Sequence, residues 1–99
     1  MTSGEQQAAT VAAALAEAKG TDVKTYDVRG KSGIADFFVV ATGAAAPHLK
    51  ALVRALPKPA YRVSGDPESG WIVVDYFDVV VHVFSPEARA YYALEKLWA

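Results

Sequence analysis

The sequence predicts an α/β domain in which a mixed sheet of about five strands carries flanking helices. Two observations lead to this fold class. Apolar runs rich in Val and Phe alternate with Ala- and Leu-rich segments of helical periodicity. The chain also has 99 residues, of which 53% are hydrophobic and 21% charged, an ordinary balance for a globular protein. This length supports one core, so we expect a single domain over residues 1–99.

The first predicted element is a helix over residues 5–19. This segment is rich in Ala, the residue with the highest helix propensity. Val11 and Leu15 stand about one turn apart, and Gly20 occupies the place of a C-terminal cap. The small side chains predict close packing of this helix on a sheet.

Two strands are expected next, over residues 23–29 and 34–41. The second contains a continuous apolar run from Phe37 to Val40. Such a run is typical of a strand that is covered on both faces.

The second helix has the clearest periodicity. Its apolar stripe follows the spacing i, i+3, i+4 and i+7 and consists of Leu49, Leu52, Val53 and Leu56. Pro47 suits the first helical turn, and Pro57 prevents the helix from continuing.

The next segments predict a short strand over residues 61–64, a turn over 65–70, and two strands over 71–75 and 78–84 that form a hairpin. Tyr76-Phe77 is a poor two-residue hairpin loop compared with Asn-Gly, so we expect a longer or bulged connection.

A helix is predicted to close the chain. Ser85 is a good N-cap, Pro86 suits the first position, and Glu87 complements the positive end of the helix dipole. Tyr91 and Trp98 fall on one face with Leu94, which predicts that both aromatic side chains lie in the core.

Charge and composition argue against several classes of ligand. Ten Lys and Arg residues face eleven Asp and Glu residues, whereas a protein that mainly binds nucleic acid normally has a basic excess. Four basic residues are expected to form a solvated face: Lys50, Arg54, Lys58 and Arg62. The alternative hypothesis is that this face contacts RNA. The chain has no Cys, so it has neither a disulfide nor a thiolate metal site. No membrane span or signal peptide is recognisable.

Several segments of the sequence carry a family resemblance. Residues 36–43 read DFFVVATG, residues 70–84 read GWIVVDYFDVVVHVF, and residues 86–98 read PEARAYYALEKLW. These segments keep the order and spacing of the patterns DYFVIATG, GWVLLDYGDVVVHVF and PE-x-R-x-x-Y-x-LEKLW. The chain therefore resembles the Iojap family of ribosome silencing factors, also called RsfS, over nearly all its length from the first helix onward. Phe77 departs from the family pattern, which has Gly there, and it should not readily adopt the positive φ that Gly allows.

The resemblance implies a topology like that of nucleotidyltransferases without their catalytic residues. It further implies a cytoplasmic protein that represses translation by binding the intersubunit face of the large ribosomal subunit, through ribosomal protein L-fourteen. The small subunit is then sterically prevented from joining. This role needs no cofactor and little direct contact with nucleic acid, and the resemblance also implies a homodimer. The alternatives are a nucleotidyltransferase-like enzyme and a homodimeric adaptor for another partner.

The residues themselves give little sign of catalysis. Asp75 and Asp78 are three apart across a turn, whereas nucleotidyltransferases hold metals with carboxylates that are often one residue apart on a strand. Ala44 follows Gly43 where a phosphate-binding turn would have a hydroxyl. No metal site is expected. His82 alternates with valines and predicts a core histidine with one hydrogen-bonded nitrogen; His48 is expected to be exposed.

The hairpin is the expected docking surface. A basic ribosomal protein calls for carboxylates and aromatic anchors, and these residue types cluster there. The expected partner-binding residues are Trp71, Asp75, Tyr76, Asp78 and Asp36. Strand alternation puts Trp71 and Asp75 on one face and Tyr76 on the other, and leaves open which of them are exposed.

Overall fold

The computed structural model describes residues 4–31 and 35–97, and its five strands form one mixed sheet in the order β1-β2-β5-β4-β3. Only β2 and β5 run parallel, and the other neighbours are antiparallel. The strands are β1 (Thr21–Asp27), β2 (Phe37–Thr42), β3 (Arg62–Asp66), β4 (Trp71–Asp75) and β5 (Val79–Phe84). The predicted fold class is confirmed.

Three helices cover the sheet: α1 (Gly4–Glu17), α2 (Ala46–Ala55) and α3 (Pro86–Tyr92). Short 3₁₀ segments follow β3 (Pro67–Ser69) and α3 (Leu94–Leu97). The apolar stripes of α1 and α2 pack in one core on one face of the sheet. The other face has a smaller core that includes residues from α3 and the last 3₁₀ segment. No helix in the described part of the chain is long and apolar enough to cross a membrane.

The two parallel strands form the centre of the sheet. Every residue of β2 and of β5 is buried, as the continuous apolar run of β2 predicted. Their register pairs Phe37 with Val79, so both strands begin at the same end of the sheet. That end also holds the last residue of β4, because β4 runs antiparallel to β5.

Several predicted boundaries were wrong. β1 spans residues 21–27 rather than 23–29, and β3 extends through Gly65, which was predicted to lie in a turn. Gly65 has φ +90°, and a Cβ there would lie 2.3 Å from the carbonyl oxygen of Trp71, so only glycine fits this close approach. The first residue of the predicted second strand, Ile34, lies outside the described residues.

The end of α1 also differs from the prediction. Lys19, not Gly20, takes the left-handed conformation, with φ 69°. The N–H of Gly20 donates to the oxygen of Leu15 (2.8 Å), and the N–H of Lys19 donates to that of Ala16 (3.0 Å). This is the hydrogen-bond pattern of a Schellman motif, with Lys19 in the position that glycine usually takes.

The last helix is shorter than predicted. Ser85 caps its start as expected, since its Oγ accepts the N–H of Ala88 (3.1 Å). The helix ends at Tyr92, because Ala93 adopts a left-handed conformation with φ 48°. This reversal ends the helical stripe, and Tyr91 is 81% exposed. The prediction that Tyr91 is a core residue is therefore wrong, and Trp98 lies outside the described residues.

Candidate partner-binding surface

Strand direction brings three of the predicted carboxylates to one end of the sheet. Asp36 precedes β2, Asp78 precedes β5, and Asp75 ends β4. The carbonyl oxygen of Asp78 accepts the N–H groups of Asp36 (2.9 Å) and Phe37 (3.0 Å), which fixes the two loops side by side. Asp36 and Asp78 are exposed, and Asp75 is half-buried. We call these three residues the acidic end.

The hairpin connection between β4 and β5 has three residues, Tyr76 to Asp78, so the expectation of a longer loop is confirmed. The N–H of Tyr76 donates to the oxygen of Val79 (2.9 Å). One carboxylate oxygen of Asp75 accepts the N–H of Phe77 (2.8 Å). Phe77 has φ 75°, so the expectation that it would avoid the left-handed region is wrong. Asp75 stabilises this unusual conformation from inside the hairpin.

Tyr76 lies in the core. Its side chain is 9% exposed and packs with the residues beneath α1 and α2. Its hydroxyl donates to the carbonyl oxygen of Pro57 (2.6 Å), and burial raises the pKa of the phenol. The neighbouring Phe77 is 61% exposed instead. The aromatic group that the hairpin offers to solvent is therefore Phe77.

Trp71 lies at the opposite end of β4. Its indole N–H donates to Nδ1 of His82 (3.2 Å), and its rings pack on Phe84 and Tyr92 with centroid separations of 5.2 and 4.7 Å. Trp71 is half-buried and shares a sheet face with Asp75. The two are four residue steps apart along the strand, a distance of roughly 13 Å. The structure thus puts Trp71 on the same face as Asp75 but does not bring it into the acidic end.

The predicted core location of His82 is confirmed. The residue is 8% exposed, and its Nδ1 accepts the hydrogen bond from Trp71. Burial lowers the pKa of His82 to about 4, so the imidazole is neutral at pH 7. The neutral ring can accept from Trp71, which a doubly protonated ring cannot do.

The expectation that His48 is exposed is wrong. The ring is half-buried, its Nδ1 accepts the N–H of Ala44 (3.0 Å), and its Nε2 lies 3.0 Å from the oxygen of Ala18. His48 therefore links the start of α2 to the end of α1. Lys50, Arg54, Lys58 and Arg62 are all exposed, as either a solvated face or an RNA contact requires.

One polar network was not predicted from the sequence. The guanidinium of Arg89 donates to both carboxylate oxygens of Glu95 (2.7 and 2.9 Å), to Oγ1 of Thr42 (2.8 Å) and to the carbonyl oxygen of Asp22 (2.8 Å). Tyr26 also donates its hydroxyl to Glu95. Arg89 and Glu95 are six positions apart, a spacing that would put them on different sides of a continuous helix. The spacing therefore gave no signal of the contact.

This network, which we call the C-terminal clasp, attaches the last 3₁₀ segment to β1. Hydrogen bonds from Arg89 lower the pKa of Glu95. Burial and the bond to Glu95 raise the pKa of Tyr26 to about 12. The carboxylate is therefore charged and the phenol is protonated at pH 7, as this geometry requires.

The functional groups at the acidic end are three carboxylates and the exposed ring of Phe77. No group of three or more His, Cys, Asp or Glu side chains that could hold a metal occurs among residues 4–31 and 35–97. Gly43 is buried, and a Cβ there would lie 2.7 Å from Cδ2 of Leu49. This glycine thus serves the packing of α2 against the end of β2.

Comparisons with known proteins agree with this fold. A family model described as "RsfS: Ribosomal silencing factor during starvation" matches residues 2–99. The ribosomal silencing factor RsfS of Haemophilus influenzae is 39% identical over 88 residues, which cover 82% of this chain and 86% of that protein. The mouse "mitochondrial assembly of ribosomal large subunit protein 1" is 31% identical over 85% of this chain and 41% of its own length. A crystal structure of a Chromobacterium violaceum protein superposes with a TM-score of 0.91 and 29% identity, covering 98% of this chain and 87% of that chain.

Proposed function

Because the chain belongs to the RsfS family of ribosomal silencing factors, we propose that it binds the large ribosomal subunit at its intersubunit face and blocks joining of the small subunit. Translation is repressed as a consequence. The observation that carries this proposal is the match of the family model to residues 2–99. The name of the mouse relative, which refers to large-subunit assembly, points to the same partner. The setting we propose is the cytoplasm.

The proposed docking surface is the sheet face and end that hold Trp71, Asp75, Asp78 and Asp36, and the proposed partner is ribosomal protein L-fourteen. Ribosomal proteins are generally basic, so the acidic end supplies charge of the complementary sign. Trp71 supplies a half-buried aromatic surface at the other end of β4, next to the exposed Tyr92. Tyr76 takes part in this proposal through the loop it supports, since its own ring is buried.

The proposed mechanism is steric. The molecule measures 33 × 27 × 21 Å. Subunit joining depends on direct contacts across the intersubunit face, so a body of this size over one contact is enough to prevent it. Neither turnover nor a cofactor is needed, and the proposal assigns the chain no enzymatic activity.

Sedimentation with purified subunits tests the binding step. We expect the protein to migrate with large subunits in a sucrose gradient and to stay at the top with small subunits alone. Protein that stays at the top in the presence of large subunits would contradict the proposal. Size-exclusion chromatography with light scattering of the free protein tests a further proposal, the homodimer that the family resemblance implies.

A subunit-joining assay by light scattering tests the mechanism. Added protein should lower the amplitude of joining without any nucleotide, and preformed complexes of protein and large subunit should fail to join. If inhibition needed ATP or GTP, the steric mechanism would be wrong and the nucleotidyltransferase-like alternative would gain support. Nucleotide with Mg²⁺ should likewise leave the melting temperature of the free protein unchanged.

A further inference from the structure

Two exposed aromatic rings meet beside the acidic end. Phe77 is 61% exposed and Tyr61 is 58% exposed, and their ring centroids lie 4.1 Å apart. They border a groove of about 280 Å³ whose other lining residues are Gln7, Pro59, Ala60 and Tyr76. We propose that this aromatic pair is an anchor for an arginine side chain of a basic protein that docks on the acidic end. The inference rests on the proposed function, because it identifies the type of side chain that the proposed docking surface recognises.

The backbone at Phe77 supports a role outside the core. The residue sits at φ 75°, where a side chain is disfavoured and glycine is not. Folding alone would therefore favour glycine at this position. The ring is mostly in solvent, so its burial contributes little to the stability of the free protein. An unfavourable backbone conformation that displays an aromatic ring to solvent fits a contact residue.

Charge selects the occupant. Phe77 lies between Asp75 and Asp78 in the sequence, and Asp36 is fixed beside Asp78 by a backbone hydrogen bond. A guanidinium can stack on an aromatic face while its N–H groups reach nearby carboxylates, and its methylene groups can lie along an apolar groove. Stacked bases of RNA would fit the rings equally well, but their phosphates would meet the carboxylates of the acidic end. The surface therefore favours a basic protein over RNA.

The same chemistry already occurs within the chain. The guanidinium of Arg29 lies 5.1 Å from the ring centroid of Phe37 and binds the carboxylate of Asp27 at 2.6 Å. The guanidinium of Arg62 lies 5.8 Å from the ring centroid of Tyr61. Aromatic rings at this end of the sheet thus attract cations in the free protein, and the pair of Phe77 and Tyr61 has the ring surface to bind another.

The test replaces Phe77 with two residues that tolerate a positive φ. Phe77→Gly and Phe77→Asn remove the ring and relieve the backbone, so both variants should melt at or above the temperature of the parent. Both should bind purified large subunits roughly tenfold more weakly in a titration of fluorescently labelled protein. Val63→Thr is the control, because Val63 is 55% exposed on β3 and lines a separate groove with Lys50 and Arg54 of α2. It should bind like the parent.

Each outcome decides the inference. Lower affinity together with unchanged or raised stability supports it. Parental affinity in both Phe77 variants overturns it, while binding of the parent to large subunits would still uphold the proposed function. Failure of the parent to bind overturns both. The same titrations with protein-free RNA extracted from the subunits form the last arm. An equal loss of affinity there identifies RNA as the occupant and also overturns the inference.

Discussion

Tyr76 and Trp71, two aromatic residues of the hairpin, have different environments because strand alternation puts them on opposite faces of the sheet. Tyr76 continues the face of Ile72 and Val74, which α1 and α2 cover, whereas Trp71 lies on the face that is only partly covered. The sequence predicted this alternation correctly. The docking role assigned to Tyr76 came from residue type alone, which cannot tell a buried ring from an exposed one.

The hydroxyl of Tyr76 provides the first prediction. Tyr76→Phe removes the bond to Pro57 but keeps the packing of the ring, so the free energy of unfolding should fall by about 1 kcal/mol. Because the ring is buried, binding to large subunits should stay as tight as in the parent. Denaturant unfolding and subunit titration measure the two effects. A folded variant that bound tenfold more weakly would show that the hydroxyl reaches the partner.

The buried imidazole of His82 makes the stability of the folded protein depend on pH. Its pKa of about 4 in the folded state lies below the ordinary value of 6.5, so the unfolded chain takes up the proton first as the pH falls. The stabilising contribution of neutral His82 is complete above pH 6.5 and is lost progressively toward pH 4, to a total of about 3 kcal/mol.

Proton NMR of the imidazole signals measures this directly. The chain has two histidines, and a His82→Gln variant assigns the signals. The signal of His82 should show no protonation at pH 6 in the folded protein. Half-protonation near pH 6.5 would contradict the prediction and would mean that the bond from Trp71 is readily broken.

At the scale of elements, the start of α3 was more predictable than its end. Ser85 and Pro86 determine the start of α3 through local hydrogen bonding and φ, which depend on adjacent residues only. The end of α3 depends on the C-terminal clasp, whose partners on β1 and β2 are distant in sequence. The prediction from local periodicity therefore made this helix too long and wrongly placed Tyr91 in the core.

The clasp gives the third prediction. Arg89→Lys keeps the charge but loses the paired N–H groups that bind Glu95 and the reach to Thr42 and Asp22, so it should cost about 2 kcal/mol of stability. The 3₁₀ segment should become the first part to exchange its amide hydrogens. Arg54→Lys is the matched control, because Arg54 is exposed on α2. Equal melting temperatures for the Arg89 variant and the parent would show that the clasp adds nothing to stability.

At the scale of the whole molecule, charge is segregated although the net charge is only −1. No Asp or Glu occurs from Phe37 to Gly65, the stretch that contains α2 and its exposed cations. Asp75 and Asp78 belong to one hairpin, and Asp36 meets them because β2 and β5 run parallel. The sequence showed the charges, but only the strand order placed Asp36 beside Asp78.

This segregation predicts how the protein approaches its partner. Asp36→Lys with Asp78→Lys reverses two exposed charges and leaves Asp75, whose carboxylate holds the hairpin loop, intact. Exposed charges act mainly on association, so the rate constant for binding large subunits should fall roughly tenfold at low salt, with little change in dissociation. Added salt should slow the parent but not the variant, until the two rates converge at about 1 M, where the screening length is about 3 Å.

Glu17→Lys with Glu68→Lys is the control, because it changes the net charge by the same amount at exposed positions outside the acidic end. Stopped-flow mixing with labelled large subunits measures the association rate constant of each double variant. Each variant must first be shown to melt at the temperature of the parent. If the two double variants slowed association equally, net charge rather than the acidic end would direct the encounter, and the docking surface would be reduced to its part around Trp71 and Tyr92.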